Sequence, residues 1–533
     1  MRNSIFILFI GIIFSLTSCR KDFDTVQSTG NLEFSKQTVY LDTVFTNIGS
    51  STYMLKVYNR SKDDIVIPTI KLGRDNSKYR IMVDGMTGNG GNGKVFSNVE
   101  LLAKDSLFIF IETTASVVDV DPADFLYTDE IQFFAGSNYQ KVDLVTLIQD
   151  AVFLYPTKEN GIKEELLLAV DENGNKLVVE GFELNEADPV NGNELHWTKE
   201  KPYVIYGYAG VPNGKNLVID AGARIHFHAT SGDVTSGIAV LPNGQINING
   251  EASPNPENPQ ENEVIFEGDR LEPMYSDIPG QWGTIWLLGT NRDNTIKHAT
   301  IKNAIIGLQV QQSKVKIENS QLYDHSNFGI LAINADITGT NLVLNTAGQA
   351  NFAAIEGGKY SFKHCTFNNN WASSNQVSVW LTNYSQIDAD TFKYNALSQA
   401  DFFNCIIYGS NRIQLFLDKA SSNPNQPESN TTPFNYNFNH CLVKFNEEGI
   451  NLPNPDLYAT LRTVPASPTA PGNYIEMNPK FQNIVRNKLN ISEESPAVGK
   501  ANTDPLYFLN NDILGNLRSR QEIGAYAAST FPN

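Results

Sequence analysis

The sequence is poor in cysteine and in charge. Four cysteines occur among 533 residues, and charged residues make up 18% of the chain. The first cysteine, Cys19, lies near the N-terminus, and the other three are an odd number that does not make a disulfide framework. The sequence contains no CxxC pair and no HExxH motif. The formal net charge of −18 argues against nucleic acid as a partner and against direct adhesion to anionic lipid.

Long apolar runs are also scarce. Residues 5–16 are apolar, but this run is too short for a bilayer-spanning helix of about 20 residues, and no second run reaches that length. One positive side chain, Arg2, precedes the run, and Leu16-Thr17-Ser18-Cys19 ends it. A positive residue followed by a short apolar core is the pattern of a secretory signal peptide. Residues 1–18 are therefore predicted to be a signal peptide.

The end of this segment resembles the lipobox of bacterial lipoproteins, in which an apolar residue and two small residues precede a cysteine. The resemblance implies that Cys19 becomes the acylated first residue. Each buried methylene contributes about 0.8 kcal/mol, so two or three acyl chains hold a protein on a membrane durably. Arg20-Lys21-Asp22-Phe23-Asp24 follows directly, and its lysine and acidic residues resemble the surface-export signal of Bacteroidetes lipoproteins. We therefore expect an outer-membrane lipoprotein exposed on the cell surface; the alternative is an ordinary signal peptide with a chance cysteine.

The next part of the chain has the pattern of short strands. Residues 19–31 are predicted to be a polar tether. From 32 to 150, alternating segments such as Val39–Phe45 and Tyr53–Tyr58 are separated by turn-rich stretches. Roughly seven such strands predict an antiparallel β-sandwich. The phrase LDTVFTNIGSSTYMLKVYNRS resembles immunoglobulin-like modules, and this resemblance implies positioning or binding.

Residues 151–215 are harder to interpret and are predicted to be a linking or capping segment. From 216 to 528 the chain has repeats. A phrase of the form apolar, any, Asn/His/Gly, small, any, apolar occurs six times, with starts 21, 20, 25, 40 and 36 residues apart. A period of 20 to 25 residues indicates a solenoid, because one coil cannot bury its own apolar face. The copies start at Ile296, Ile317, Ile337, Phe362, Phe402 and Phe438.

The small position of each copy is predicted to be an inward slot, and the residue before it to occupy a left-handed turn. In the third copy these positions fall on Thr340 and Gly339. The remaining cysteines, Cys365, Cys405 and Cys441, would fill the same slot in three later copies. They are therefore expected to be buried side chains and not catalytic thiols.

Two further stretches resemble right-handed parallel β-helix proteins. Leu217 to Phe227 is similar to the opening L-x-I-x-x-G-x-x-I-x-F of such proteins. The end of the chain is similar to their closing signature of P-x-F, SPA-x-x-x-G, D-x-x-G-x-x-R and IGAYE, with Ala527 in place of the final Glu. The predicted fold is all-β: an N-terminal antiparallel β-sandwich followed by a right-handed parallel β-helix solenoid of the pectate-lyase-like superfold.

Catalytic signals are weak. Lyases and hydrolases of this superfold need clustered carboxylates, with a basic residue in lyases. Asp388 and Asp390 share a strand face, but two carboxylates in a solvent-exposed turn would show the same pattern. His226 and His228 also share a strand face, and a hydrogen-bonded or exposed pair is a simpler interpretation than a metal site. Asp324-His325 is a further weak pair, and the recurrence of His298, His364 and His440 follows from the repeat. No catalytic or metal-binding residue is predicted, and no cofactor; Ca²⁺ would be needed only by a lyase.

Four tryptophans remain as binding candidates. Aromatic faces pack on sugar rings, and core packing is the alternative. The favoured function is a non-catalytic surface lipoprotein that presents its β-helix to a polysaccharide or a surface protein. The alternative is a polysaccharide lyase or glycoside hydrolase acting on acidic glycans. The candidate binding residues are Trp282, Trp286, Trp371 and Trp380.

Overall fold

The chain folds from β-strands joined by turns and loops. The computed structural model describes residues 24–120, 125–135, 138–170, 174–229, 235–255, 258–289, 292–387, 391–420 and 432–531. Within these ranges there is no α-helix, and no helix is long and apolar enough to span a membrane. The prediction of an all-β chain is confirmed. Short 3-10 turns occur at Asn89–Gly91, Val117–Asp119, Pro273–Tyr275 and Pro455–Tyr458.

The chain divides into two compact units, Met1–Asp150 and Ala151–Asn533. The strands of the first unit are β1 (Val26–Gln27), β2 (Leu32–Phe34), β3 (Thr38–Phe45), β4 (Tyr53–Asn59), β5 (Ile65–Leu72), β6 (Tyr79–Val83), β7 (Val95–Leu101), β8 (Ser106–Thr113), β9 (Leu126–Ala135) and β10 (Asn138–Gln149).

The first unit contains two sheets that share one core. Strands β2, β4, β8 and β6 form an antiparallel sheet, and the other six strands form a second sheet. Side chains alternate along each strand: in β8, Leu107, Ile109 and Ile111 are buried, and Phe110 points outward. Most pairs in this unit are antiparallel, as predicted, but β10 pairs with β3 in parallel and β1 pairs with β5 in parallel.

The second unit has many short strands. They are β11 (Val152–Leu154), β12 (Lys158–Glu159), β13 (Ile162–Lys163), β14 (Glu165–Val170), β15 (Lys176–Glu183), β16 (His196–Trp197), β17 (Tyr203–Ile205), β18 (Tyr208–Val211), β19 (Asn216–Asp220), β20 (Arg224–Phe227), β21 (Gly237–Val240), β22 (Gln245–Asn249), β23 (Val264–Gly268), β24 (Ile285–Leu288), β25 (Asn294–Lys297), β26 (Ala299–Lys302), β27 (Ile306–Gln311), β28 (Lys314–Glu318), β29 (Gln321–His325), β30 (Phe328–Thr340), β31 (Val343–Ala347), β32 (Ala350–Lys363), β33 (Thr366–Asn369), β34 (Val377–Thr382), β35 (Tyr384–Gln386), β36 (Phe392–Tyr394), β37 (Leu397–Phe403), β38 (Ile406–Gly409), β39 (Leu415–Asp418), β40 (Asn437–Asn439), β41 (Leu442–Val443), β42 (Tyr474–Ile475), β43 (Phe481–Asn483) and β44 (Lys488–Ile491).

Most of these strands belong to two large parallel sheets. The smaller parallel sheet has 11 strands, in the order β11-β17-β20-β23-β26-β29-β31-β33-β38-β41-β42. The larger sheet has 17 strands, and its pairs are parallel apart from the β14–β15 hairpin. Parallel pairing begins with β11 and β17, so residues 151–215 belong to the same sheets as the strands after residue 216.

Successive strands of the smaller parallel sheet stack in register. Ile301 pairs with Leu322, and Leu322 pairs with Leu344, at offsets of 21 and 22 residues. Each of these side chains is at most 1% exposed. Burying one such side chain contributes about 1.5–3 kcal/mol, and stacking joins them into one core. From Ile301 to β41 the buried column is Ile301, Leu322, Leu344, Phe367, Ile407 and Val443.

The repeated phrase forms a turn with left-handed backbone. Its turn residues have φ between 42° and 56°, a region that Asn tolerates better than most residues. In the third copy the predicted assignment is wrong, because Gly339 pairs with Ile317 and the left-handed turn falls on Asn341. Asn341 donates from Nδ2 to Oδ1 of Asn319, 2.9 Å away. The turn residues are His298, Asn319, Asn341, His364, Asn404 and His440.

The slot after each turn residue is buried, as predicted. In the third copy Leu342 fills it instead of Thr340. Cys365, Cys405 and Cys441 are fully buried and free of disulfides. Burial, together with the adjacent Cys365 and Cys441, raises the pKa of the Cys405 thiol well above its usual value. These thiols are core side chains.

The C-terminal segment, defined as residues 476–531, lies across the outer side of the smaller parallel sheet. Ile523 packs against Ile406 there, and the backbone N–H of Ala525 donates to Oγ1 of Thr366, 3.0 Å away. Tyr526 packs against Val343. The closing signature of the sequence thus covers the apolar outer side chains of successive strands.

Candidate functional site

Three predicted residues lie outside the described part of the chain. They are Cys19, the predicted lipidation site, and the carboxylate pair Asp388 and Asp390. The other predicted residues all belong to the second unit, where they lie in its core, in its turns and loops, or on the outer sides of its two large sheets.

Trp282 is a core residue, so its prediction as a binding residue is wrong. It is fully buried and stacks on Phe227 with ring centroids 4.1 Å apart. Its indole N–H donates to the carbonyl of Lys302, 2.8 Å away. A tryptophan that is fully buried, with its ring stacked and its N–H donor paired, has no exposed surface to offer a ligand.

Trp286 and Trp380 lie on the outer side of the larger sheet. Their neighbours in the strands, such as Leu287 and Val379, point into the core, so the tryptophans point outward. Strand pairing places them in one column, at right angles to the strands. That column is Trp286, Gln309, Leu331, Ala353, Trp380 and Phe416.

The two tryptophans differ in their surroundings. Trp286 packs against the β14–β15 hairpin, which covers this end of the sheet with Leu166 and Leu168. Trp380 is half-buried and meets Phe416 edge-on, with ring centroids 6.1 Å apart. Trp380 therefore lies beside another outward aromatic side chain, whereas Trp286 lies against the hairpin.

The outward side chains around Trp380 form a continuous apolar surface, which we call the apolar strip. Phe328, Ala350 and Ala353 are its most buried members, and the half-buried members surround them. Gln309 and Gln311 lie on the same side of the sheet, at the end nearer Trp286. The half-buried members are Ile306, Leu331, Ile333, Ile355, Val377, Trp380 and Phe416.

The apolar strip opens into a surface depression at its far end. The depression has a volume of about 410 Å³, and its apolar lining residues are Val377, Ile413, Phe416, Ile450 and Leu452. Arg412 is the charged residue of the lining, and its guanidinium donates to Asn446 Oδ1 at 2.9 Å and to the carbonyl of Glu448 at 2.7 Å.

Trp371 lies apart from the column, in the loop between β33 and β34. It is half-buried, and its backbone N–H donates to Oδ1 of Asn369, 3.2 Å away. Asn369 is fully buried. The described contacts of Trp371 therefore anchor the loop through its backbone.

The outer side of the smaller parallel sheet carries a different group, which we call the polar cluster: His226, Glu267, Lys302 and Asp324. Lys302 Nζ lies 2.5 Å from Glu267 Oε2, with 16% and 22% of the two side chains exposed. His226 Nδ1 lies 3.8 Å from Glu267 Oε1. A lysine thus lies beside two carboxyl groups on a partly covered surface.

The environment of Asp324 raises its pKa to about 7. Burial is the main cause and the nearby Asp277 the second, while Lys302 acts in the opposite direction. Burial also lowers the pKa of His226, so that this imidazole is neutral at pH 7. Asp324 can therefore give or take a proton near neutral pH, which is what general acid–base catalysis requires.

His228 lies beside this cluster and is held by a carboxylate. Its Nδ1 lies 2.5 Å from Asp269 Oδ2, and the Asp269 side chain is 1% exposed. The Tyr206 ring stacks on the imidazole with centroids 4.2 Å apart. No group of three or more His, Cys, Asp or Glu side chains in the described ranges is arranged to hold a metal ion.

The remaining histidines have structural surroundings. Burial lowers the pKa of His325 to about 3, so this side chain is neutral inside the core. Nδ2 of Asn404 lies 3.0 Å from His364 Nε2 within the row of turn residues. Sequence reasoning missed Glu267 and Lys302, because 35 residues separate them and only strand pairing brings them together.

Comparisons with known proteins do not assign the chain to a family. No protein-family model and no curated protein matches the chain. The chain is similar to a family 123 glycoside hydrolase from Clostridium perfringens, at 10% identity and a TM-score of 0.16, over 22% of this chain and 23% of that one. It is similar to BcpA, the major pilin subunit of Bacillus cereus, at 13% identity and a TM-score of 0.15, over 30% and 54%. The chain spans less than two thirds of either protein, and TM-scores this low carry no argument.

Proposed function

We propose that this chain is a surface lipoprotein, anchored through Cys19, whose apolar strip binds a glycan or a protein. The observation that carries the proposal is the column that ends in Trp380 and Phe416 on the outer side of the larger sheet. An apolar surface that lies outside the core of a soluble unit marks an interaction site. Binding, and not catalysis, is the role we assign to it.

The proposal includes the fold that presents this surface. The two large parallel sheets are faces of one right-handed β-helix, and the first unit is an immunoglobulin-like β-sandwich. In-register parallel pairing at intervals of 21 to 23 residues, with a left-handed turn in each interval, supports the β-helix. The two sheets that share one core support the sandwich.

Lipidation is tested by metabolic labelling with an alkyne fatty acid. We expect the wild-type chain to take up label and to be found in outer-membrane fractions, and Cys19→Ser to take up none. Digestion of intact cells with a protease tests surface exposure. An unlabelled wild-type chain released as a soluble protein would mean that residues 1–18 are an ordinary signal peptide.

Binding is tested on a polysaccharide array with wild type, Trp380→Ala and Thr338→Ala. Thr338 is half-buried on another outer surface of the larger sheet and serves as the matched control. We expect Trp380→Ala alone to lose binding. A ligand that binds both variants as well as wild type would place the binding site elsewhere.

The polar cluster favours one alternative, a lyase or hydrolase acting on acidic glycans. Lys302 would face a substrate carboxylate, and Asp324 would supply or accept the proton. The test measures new reducing ends or unsaturated products from pectin, alginate and glycosaminoglycans. Activity that disappears in Asp324→Asn but persists in Trp380→Ala would establish the enzyme, whereas binding without any product would reject it.

A further inference from the structure

We propose that the ligand of the apolar strip is an uncharged glycan chain that runs along the column, at right angles to the strands. This inference rests on the proposed function and names the class of ligand for the same site. An acidic glycan and a protein partner are the two occupants that it excludes. Charge, hydrogen-bonding groups and the direction of the column each contribute to the argument.

Charge is the first argument. The column from Trp286 to Phe416 contains no charged side chain, and neither do the outward residues beside it from Ile306 to Val377. Two carboxylates lie close to the strip: Asp418, on the same strand as Phe416, accepts from the Tyr384 hydroxyl at 2.7 Å, and Glu356 is paired with Lys393 at 2.8 Å. A polyanion would find no cation along the column, since Arg412 lies in the depression beyond its end, and the net charge of −18 would repel it.

Hydrogen-bonding groups are the second argument. The strip is not wholly apolar: Gln309 and Gln311 present amides at one end, and each amide can both donate and accept. The indole nitrogens of Trp286 and Trp380 are covered and have no hydrogen-bond partner in the described part of the chain. A ligand on the surface does not reach these nitrogens, so the ring faces and the two glutamine amides are the groups that the strip offers. Neutral sugars combine apolar ring faces with hydroxyl groups, which matches this combination.

The direction of the column is the third argument. Adjacent strands lie about 4.8 Å apart, so Gln309 and Phe416 mark a path of roughly 19 Å along the stack. The path leads into the depression lined by Val377 and Phe416, where Arg412 already has acceptors. A narrow path of this length fits several sugar units of one extended chain, whereas a stable protein interface needs about 800 Å² on each partner.

The test is affinity electrophoresis and calorimetry of the full chain with matched soluble polysaccharides. The neutral probes are xyloglucan, galactomannan and mixed-linkage β-glucan; the acidic probes are polygalacturonate and alginate. We expect a neutral probe to bind with an affinity that changes less than twofold between low and high salt. Trp380→Ala should weaken that binding at least about tenfold, and Thr338→Ala should leave it unchanged.

The outcomes separate the two proposals. Binding of an acidic probe or of a protein, lost in Trp380→Ala, would overturn the uncharged ligand and keep the binding function. Binding of a neutral probe that is unaffected by Trp380→Ala would overturn the strip as its site. Failure of every polysaccharide and of cell-surface proteins to bind the full chain would overturn the proposed function itself.

Discussion

Arg518 donates from Nη2 to the side-chain oxygen of Asn341, which is 2.8 Å away and 177 residues earlier in the chain. The same Nη2 donates to the carbonyl of Ala525 at 3.0 Å. Asn341 is one of the left-handed turn residues, so this contact joins the C-terminal segment to the row of turns. Arg518 is only 4% exposed, and burial lowers the pKa of its guanidinium to about 10.

Replacing Arg518 should loosen the C-terminal segment. Hydrogen bonds to a buried charged group contribute about 1.5–3 kcal/mol each, so we expect Arg518→Ala to lower the free energy of unfolding by about 3 kcal/mol. Urea unfolding followed by tryptophan fluorescence measures this change. The exposed Arg520 provides the control, because Arg520→Ala should change stability by less than about 0.5 kcal/mol. Equal losses in both variants would refute a special role for Arg518.

The proton on Asp324 should make stability depend on pH. The pKa of this carboxyl is about 7 in the folded chain, and an unfolded aspartate has a pKa of about 3.9. Between these values the folded chain holds a proton that the unfolded chain has lost. The contribution of Asp324 is therefore greatest near pH 4 and is lost as pH rises through 7.

Asp324→Asn removes this dependence. At pH 8 we expect the Asn variant to be more stable than wild type by roughly 2–4 kcal/mol, and at pH 4 the two should be alike. Urea unfolding at several pH values gives the comparison. Asp456→Asn, at an exposed carboxyl, should follow the wild-type curve. Parallel curves for wild type and Asp324→Asn would contradict the raised pKa.

The three slot cysteines should be unreactive while the chain is folded. All three thiols are buried out of reach of a reagent, and burial also raises the pKa of the Cys405 thiol. In a Cys19→Ser chain we expect no incorporation of iodoacetamide at pH 8 and complete labelling of Cys365, Cys405 and Cys441 in 8 M urea. Mass spectrometry counts the labels. Rapid labelling of a folded chain would show that this part of the core opens.

The tryptophans should separate stability from binding. Trp282→Ala leaves a cavity in the core and should cost about 3–5 kcal/mol of unfolding free energy. Trp380→Ala, at a half-buried outward position, should cost about 1 kcal/mol and remove ligand binding. Thermal unfolding and the binding assay together provide both measurements. A large loss of stability in Trp380→Ala would mean that this residue supports the fold instead of a ligand.

Local sequence patterns predicted the features that depend on nearby residues. A left-handed turn needs a tolerant residue followed by a small buried one, and five of the six repeat copies carry that pair at the predicted place. The turn of the third copy was assigned to the wrong residue, because Gly339 and Asn341 both suit a left-handed turn. Only the pairing of Gly339 with Ile317 shows that the turn falls on Asn341.

Features that depend on distant pairing were beyond the sequence. No sequence motif marks the ion pair of Glu267 and Lys302, and none marks the hydrogen bond from Arg518 to Asn341. Trp282 and Trp286 are four residues apart, and whether each faces the core or the outer side depends on the register of the strand between them. The closing signature could be recognised in the sequence, but the sequence did not show that it covers the outer side of the smaller parallel sheet.

The way the C-terminal segment lies back on earlier strands has a consequence for synthesis of the chain. Val343 and Thr366 are made about 160 to 180 residues before Tyr526 and Ala525, which cover them. Until translation is complete, a row of apolar side chains on the nascent sheet has no cover. A prematurely terminated product would expose that row permanently, so quality control by chaperones and proteases should depend most on the last 50 or so residues of the message.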